Sequence, residues 1–286
     1  MATLKDIKLR IDSIKSTQQI TKAMKMVAAS KMRKAEESIV HARPYSEKLR
    51  SIITNLGAGV KDSAHPLLEQ RSGGKAVVLL ITSDKGLCGG LNNNLCKKLV
   101  RFIPDHSTDF EFVELVTFGK KGGEFFKSRK FDVGESFRNL KEAEMTKALK
   151  DKVQSLIQQY ENGEFNRLYI AFNKFKNVIT QIPTIQQVLP VETPAQEEVQ
   201  DEIEFIFEPT VDGILNEILP EYVENQAYTA LLDNYACEHA ARMTAMDAAT
   251  SNAAEMIEKL QLKYNRARQA AITSELIEII SGAEAL

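Results

Sequence analysis

The stretch most suggestive of chemistry is Ser83-Asp-Lys-Gly-Leu-Cys-Gly-Gly-Leu-Asn92. A glycine-rich turn that leaves a strand and opens a helix can offer backbone N–H groups to a phosphate. Neither nucleotide fingerprint is present. Leu91-Asn92, not Lys-Ser/Thr, follow Gly89-Gly90, and the spacing of Gly86, Gly89 and Gly90 is not G-x-G-x-x-G. The residues favour a tight structural turn over a ligand loop. Cys88 is a conceivable nucleophile, but it needs a partnered base. The four histidines, His41, His65, His106 and His239, lie in other segments and form no pattern. No His or Cys spacing suits a metal. The residues therefore point to no catalytic group, no cofactor and no metal.

Charge is the second chemical feature. Residues 1–34 carry Lys5, Lys8, Arg10, Lys15, Lys22, Lys25, Lys31, Arg33 and Lys34 against Asp6 and Asp12. Residues 191–224 carry eleven Asp or Glu and no Lys or Arg, although the whole chain is at only −2. The basic stretch suits a solvated helix face, a nucleic-acid backbone or an acidic protein partner. Residues 1–44 contain no aromatic side chain to stack on bases, which disfavours nucleic acid. Arg266, Arg268 and Gln269 near the other end can likewise form surface pairs or donate to partner carboxylates.

These groups must be positioned by long helices. Thr3 and Asp6 form a helix-start signal. Leu4, Ile7, Ile11 and Ile14 then follow at heptad steps, and the seam continues through Gln18, Ile20, Met24, Val27, Ala28 and Met32. The helix is expected to reach about residue 56, with Pro44 kinking or restarting it. The last stretch, 240–282, has no Pro and no Gly before Gly282, which suits a left-handed helix stop. Its expected inner face is Ala249, Ala253, Met256, Leu260, Tyr264, Ala267, Ala271, Ser274 and Ile277. An earlier segment, 211–219, is a candidate opening of this helix, with Pro220 as a kink or restart. At about 1.5 Å per residue the two helices are roughly 80 and 90 Å long, so the second outreaches the first.

Between them, 75–82, 112–118, 167–172, 184–189 and 202–207 read as five strands. Segments 93–102, 120–129 and 141–161 read as helices, the second weakened by Gly122-Gly123. Early alternation of strand and helix makes this block α/β, with the later strands adjacent and antiparallel. The division is therefore 1–58, 70–208 and 211–286. The fold class is α/β with long helices: an antiparallel N- and C-terminal coiled coil plus a central Rossmann-like domain of about five strands. Three cysteines, Cys88, Cys96 and Cys237, with no C-x-x-C pair, read as buried thiols in a reducing compartment. The longest apolar run, 76–81, is too short to span a membrane, and the N-terminus reads as mature structure of a soluble, intracellular protein.

Four long motifs occur in order: the stretch 20–33 (ITKAMKMVAASKMR), the turn 82–92 (TSDKGLCGGLN), 238–253 (EHAARMTAMDAATSNA) and 264–283 (YNRARQAAITSELIEIISGA). Together they resemble the gamma subunit of the rotary F-type ATP synthase, of the bacterial type. No inserted redox-regulated cysteine pair is present. The resemblance implies a non-catalytic rotor shaft that couples ion flow through a membrane sector to ATP synthesis. It implies a coiled coil threading a ring of three alpha and three beta subunits. It also implies the epsilon and delta subunits and the c-subunit ring as partners, with no nucleic acid and no homo-oligomer. Met24 and Lys25 on the first helix, and Arg268, Gln269 and Thr273 on the last, match the family's contacts with that ring. The implied location is peripheral, on the cytoplasmic face of the plasma (inner) membrane. The alternative from the residues alone is an α/β nucleotide- or small-molecule-binding enzyme with helical dimerisation arms.

Overall fold

The computed structural model describes residues 3–57, 65–71, 73–106, 110–192 and 211–284. Two helices bracket the described chain: α1, Leu4–Gly57, and α5, Val211–Glu284. Between them lie β1 (Lys75–Ile81), α2 (Leu91–Asp105), β2 (Phe112–Phe118) and α3 (Lys120–Lys127). They are followed by β3 (Val133–Phe137), α4 (Glu142–Glu161), β4 (Arg167–Phe175) and β5 (Gln181–Leu189). The chain divides into two compact units, residues 1–29 with 242–286, and residues 30–241. Both long helices contribute to both units.

In the larger unit the strands form one sheet in the order β3-β2-β1-β4-β5. The first four are parallel, and β5 runs antiparallel beside β4. Residues of β1 are nearly all buried because both sheet faces are covered. Alternation along the strand sends Val77, Leu79 and Ile81 to one face, with Leu149, Val153 and Leu156 of α4 and Leu219, Val223 and Leu231 of α5. Ala76, Val78 and Leu80 go to the other, with Leu95 and Leu99 of α2 and Phe126 of α3. This is the Rossmann-like arrangement expected. The expected strand at 202–207 lies outside the described residues. The fifth described strand is β3, for which the residues carry no strand signal. It is short, contains Gly134, and has no strong alternation, so only its pairing with β2 makes it a strand.

The smaller unit is a two-helix coil. Thr21 and Thr250 share a hydrogen bond of 2.8 Å, and Lys25 Nζ donates to Asp247 at 2.6 Å. Ascending residues on α1 meet descending residues on α5, so the pair is antiparallel. The inward positions on α1 are Leu4, Ile7, Ile11, Ile14, Gln18, Thr21, Lys25 and Ala28. Those on α5 are Met246, Thr250, Ala253, Ile257, Leu260, Tyr264, Ala267 and Ala271. Both sets step by three and four without a break, the repeat of a left-handed coil.

That strict repeat corrects part of the expected seams. Ile20 and Val27 face outward at 60% and 59% exposure, while Thr21 and Ala28 turn inward. Met256 is exposed and Ile257 takes its place; Ser274 and Ile277 are also exposed. The heptad, not the greasiness of each residue, decides which side chain faces the partner. The cross-helix register puts Leu4, where α1 begins, opposite about residue 268 of α5. Beyond Ala271 no described residue of α1 is left to cover Ile277.

Neither expected restart, at Pro44 or Pro220, nor the expected stop at Gly282 occurs. Pro44 and Pro220 lie inside unbroken helices, and Gly282 is a helical residue with α5 running on to Glu284. Pro44 removes one N–H and leaves the carbonyl four residues earlier, on Val40, without its helical donor. Val40 is exposed, so water can serve it. Tertiary packing along the rest of each helix outweighs one lost bond. Helix α2 begins at Leu91, two residues before its expected start, and runs on through Pro104.

Candidate functional site

The glycine-rich turn closes on itself. Ser83 N donates to Asn92 Oδ1 at 3.1 Å, and Asn92 Nδ2 donates to Ser83 Oγ at 2.7 Å and towards Cys88 Sγ at 3.4 Å. Ser83 Oγ in turn donates to the Lys85 carbonyl. The turn is therefore held by its own side chains, as expected of a tight structural turn. Leu87 and Gly89 adopt positive φ, at 62° and 58°, and Leu87 is left 62% exposed at the tip. Cys88 is buried against Leu91, Cys237, Phe175 and Ala241. Its sulfur meets the Asn92 amide and the Ser83 hydroxyl, neither of them a base, and it packs as a small apolar residue. All three cysteines are buried thiols outside any disulfide, as expected, and burial pushes the Cys96 thiol up to about 12. Among the described residues no cluster of His, Cys, Asp or Glu could hold a metal ion.

The helix after β2 is tied to this turn. The first three N–H groups of α3 go in succession to the residues that follow β1. Lys120 N donates to Asp84 Oδ1 at 2.8 Å, Lys121 N to the Ser83 carbonyl at 3.1 Å, and Gly122 N to Thr82 Oγ1 at 2.9 Å. Nothing in the sequence singles out Asp84, because its partners lie 36 and 55 residues downstream. A lone Asp in a turn carries no local signal of such reach.

The rod of the smaller unit is the other candidate surface. Polar groups interrupt its largely apolar seam: Gln18, Thr21 and Lys25 face α5, and Asp247 and Thr250 answer them. Its outside carries several large apolar side chains. Leu9, Ile20, Met26 and Val27 of α1 are exposed, as are Leu262, Ile272, Leu276, Ile279 and Ile280 of α5. Lys5, Lys8, Arg10, Lys15 and Lys22 are exposed among them. Exposed apolar surface of this kind marks an interaction site. The polar rungs have no local signature, because Thr21 and Thr250 become a pair only when the two helices meet.

Each expected contact residue has a definite place. Met24 is half-buried. Lys25 is also half-buried, with its ammonium on the Asp247 carboxylate. Arg268, Gln269 and Thr273 are all exposed, and Thr273 Oγ1 donates back to the Gln269 carbonyl at 2.9 Å. Gln269 and Thr273 are four residues apart and so share one face. The structure thus groups Gln269 with Thr273, leaves Arg268 on a neighbouring exposed position, and separates Lys25, which has an intramolecular partner. No helix of the described residues is long and apolar enough to cross a membrane.

Comparison with known proteins covers the whole chain. A family model described as ATP synthase matches residues 3–286. The ATP synthase gamma chain of Trichlorobacter lovleyi is 48% identical, over all of this chain and 99% of that one. That of Pelotomaculum thermopropionicum is 43% identical, over the full length of both. Among solved structures, a chain from the central stalk and c-ring of Tetrahymena thermophila mitochondrial ATP synthase aligns with TM-score 0.59 and 26% identity. It covers 80% of this chain and 99% of that one. A chain from the OSCP/F1/c-ring structure of Euglena gracilis mitochondrial ATP synthase aligns with TM-score 0.67 over 99% of this chain and 94% of that one. At 18% identity that match speaks for the fold alone.

Proposed function

The chain belongs to the ATP synthase gamma family, a non-catalytic subunit of the central-stalk rotor, and from that premise we propose how its rod transmits torque. The coil formed by α1 and α5 turns inside a ring of three alpha and three beta subunits. The α/β domain sits against the epsilon subunit and the c-subunit ring, with the delta subunit elsewhere in the same complex. The assembly lies at the cytoplasmic face of the plasma (inner) membrane, with this chain held peripherally.

The observation that carries this reading is the mixed surface of the rod. A hydrogen-bonded rung and an ion pair interrupt a largely apolar seam, and large apolar side chains stand exposed among the cations outside. Apolar surface outside suits a close-fitting sleeve in which the rod slides past several partners without a fixed hydrogen-bond register. The scattered cations Lys5, Lys8, Arg10, Lys15 and Lys22 supply attraction to carboxylates at particular angles. A rod can bias a catalytic subunit only if it binds the open and closed forms unequally. An uneven exterior on one copy, set within three equivalent partners, meets that requirement. The enzyme reading is set aside because the chain matches ATP synthase gamma chains over its full length.

Arg268 and Gln269 are proposed to touch acidic groups of the ring, with Thr273 beside Gln269, and Met24 and Lys25 to form a separate contact further along the rod, at the level of Asp247. In the assembled complex, Arg268→Ala with Gln269→Ala should lower ATP-driven ion pumping several-fold. ATP hydrolysis by the ring lacking this subunit is the reference and stays as it was. Each lost charge-assisted contact is worth about 1.5–3 kcal/mol, enough for such an effect. Unaltered pumping per ATP hydrolysed in the double variant would remove these residues from the contact.

A further inference from the structure

We propose that Asp84 is a positioning residue: its carboxylate takes the place at the N-terminus of α3 where a bound anion would otherwise sit. From there it locks three loops of the α/β domain together. The start of a helix presents N–H groups without intrahelical partners and a partial positive charge. Such ends attract phosphate or carboxylate. Helix α3 has no cap of its own, because its N-cap is Gly119, which has no side chain. The cap comes instead from a turn more than thirty residues earlier in the chain.

The two carboxylate oxygens serve different loops. Oδ1 accepts from Lys120 N at 2.8 Å, at the start of α3. Oδ2 accepts from Asn139 N at 3.1 Å, in the turn between β3 and α4. Asn139 has φ 58°, a left-handed conformation that a non-glycine residue holds only with support. Asp84 itself belongs to the turn after β1. One side chain therefore joins the connections that follow β1, β2 and β3, all at the carboxyl edge of the sheet.

Neighbouring bonds extend the same tie. Lys121 N and Gly122 N are taken by Ser83 and Thr82, and Gly119 N by the Phe137 carbonyl at 2.8 Å. With Asp84 in place, the turn that exposes Leu87 cannot shift without dragging α3 and the Asn139 turn. A carboxylate is needed because both oxygens accept. An amide in its place accepts at one oxygen and turns an N–H₂ towards the second N–H.

The test uses the full-length chain, Asp84→Ala and Asp84→Asn, with inorganic phosphate as probe at constant ionic strength. Amide hydrogen exchange is read at Lys120 and Asn139. In Asp84→Ala both amides should exchange about tenfold faster, the loss of one hydrogen bond to a charged group. Exchange at β1 should change less. Phosphate should slow Lys120 again in a saturable way in Asp84→Ala and leave the wild type unaffected. Asp84→Asn should release one of the two amides and hold the other, and it carries the test if the alanine variant does not fold. Uniform acceleration across the sheet, unaltered exchange at both amides, or a phosphate response as large in the wild type would each overturn the assignment.

Discussion

Gly119→Ala should destabilise the α/β domain more than a methyl added at any other described glycine of that domain. The backbone at Gly119 has φ 97° and ψ 145°, a region nearly closed to residues with a Cβ. An added Cβ would lie 2.0 Å from the Thr82 carbonyl oxygen and 2.6 Å from its carbon. Those are main-chain atoms of the segment that follows β1, and Thr82 N is itself bonded to the Phe118 carbonyl. Nothing there can rotate aside. Strain of about 1–3 kcal/mol from the dihedral adds to the displacement of two paired segments. A total loss of at least about 3 kcal/mol is expected, a large part of the stability of a typical domain. Two other glycines calibrate it. Gly122→Ala meets Leu80 Cδ2 at 2.8 Å and Thr82 Oγ1 at 2.9 Å, side-chain atoms that can shift, so it should cost less. Gly89→Ala has positive φ but nothing within 4 Å, so only the dihedral term of about 1 kcal/mol remains. Urea unfolding of the full chain, followed through exchange at β1 and β2 amides, gives the ranking. A Gly119→Ala midpoint equal to that of Gly89→Ala would refute the close-approach argument.

Asp233→Asn should stabilise the protein at neutral pH and do nothing in acid. Asp233 is buried on α5. Burial pushes its carboxyl up to about 6, against a smaller opposing effect of a hydrogen bond from Phe175 N and of Lys174 and Arg43. The ordinary value is 3.8, so the folded state holds this proton more tightly than the unfolded state does. With more protons bound in the folded form, stability falls as pH rises from about 4 to about 6 and stays reduced above it. That is the reverse of an ion-paired carboxylate. The asparagine variant carries no such penalty and can still accept from Phe175 N. Above pH 6 it should exceed the wild type by up to about 3 kcal/mol, and the gap should close below pH 4. Paired urea titrations of both proteins at pH 4, 5, 6 and 7 measure the difference, in which the other titrating groups cancel. A variant less stable than wild type at pH 7 would mean that Arg43 and Lys174 outweigh burial.

Much is legible in the residues alone. The strands β1 and β2 appear at nearly their observed bounds, because short branched runs between turn signals leave few alternatives. The two long helices, their antiparallel pairing and the non-catalytic character are legible as well. Cys88 is buried, as the reading of a buried or turn thiol has it. The failures share a cause. Ile20 and Val27 are expected inside although they break the heptad step, and Met256 because it fits the three-and-four spacing between Ala253 and Leu260 as well as Ile257 does; only the partner helix decides between such neighbours. Strand β3 escapes a reading of its residues because its pairing with β2, not its composition, makes it a strand.

By itself the sequence determined what is set locally or by composition: helix where propensity runs unbroken, strand where branched residues cluster, turn where glycines gather, and charge segregated along the chain. Only the tertiary structure decided which side of each long helix is the inside, and that Pro44, Pro220 and Gly282 would be carried within helices. It alone joined Thr21 to Thr250 and Asp84 to Lys120 and Asn139. Propensity and turn chemistry act over a few residues and can be read there. A hydrogen bond between groups 229 residues apart exists only after the chain has folded, and no local pattern encodes it.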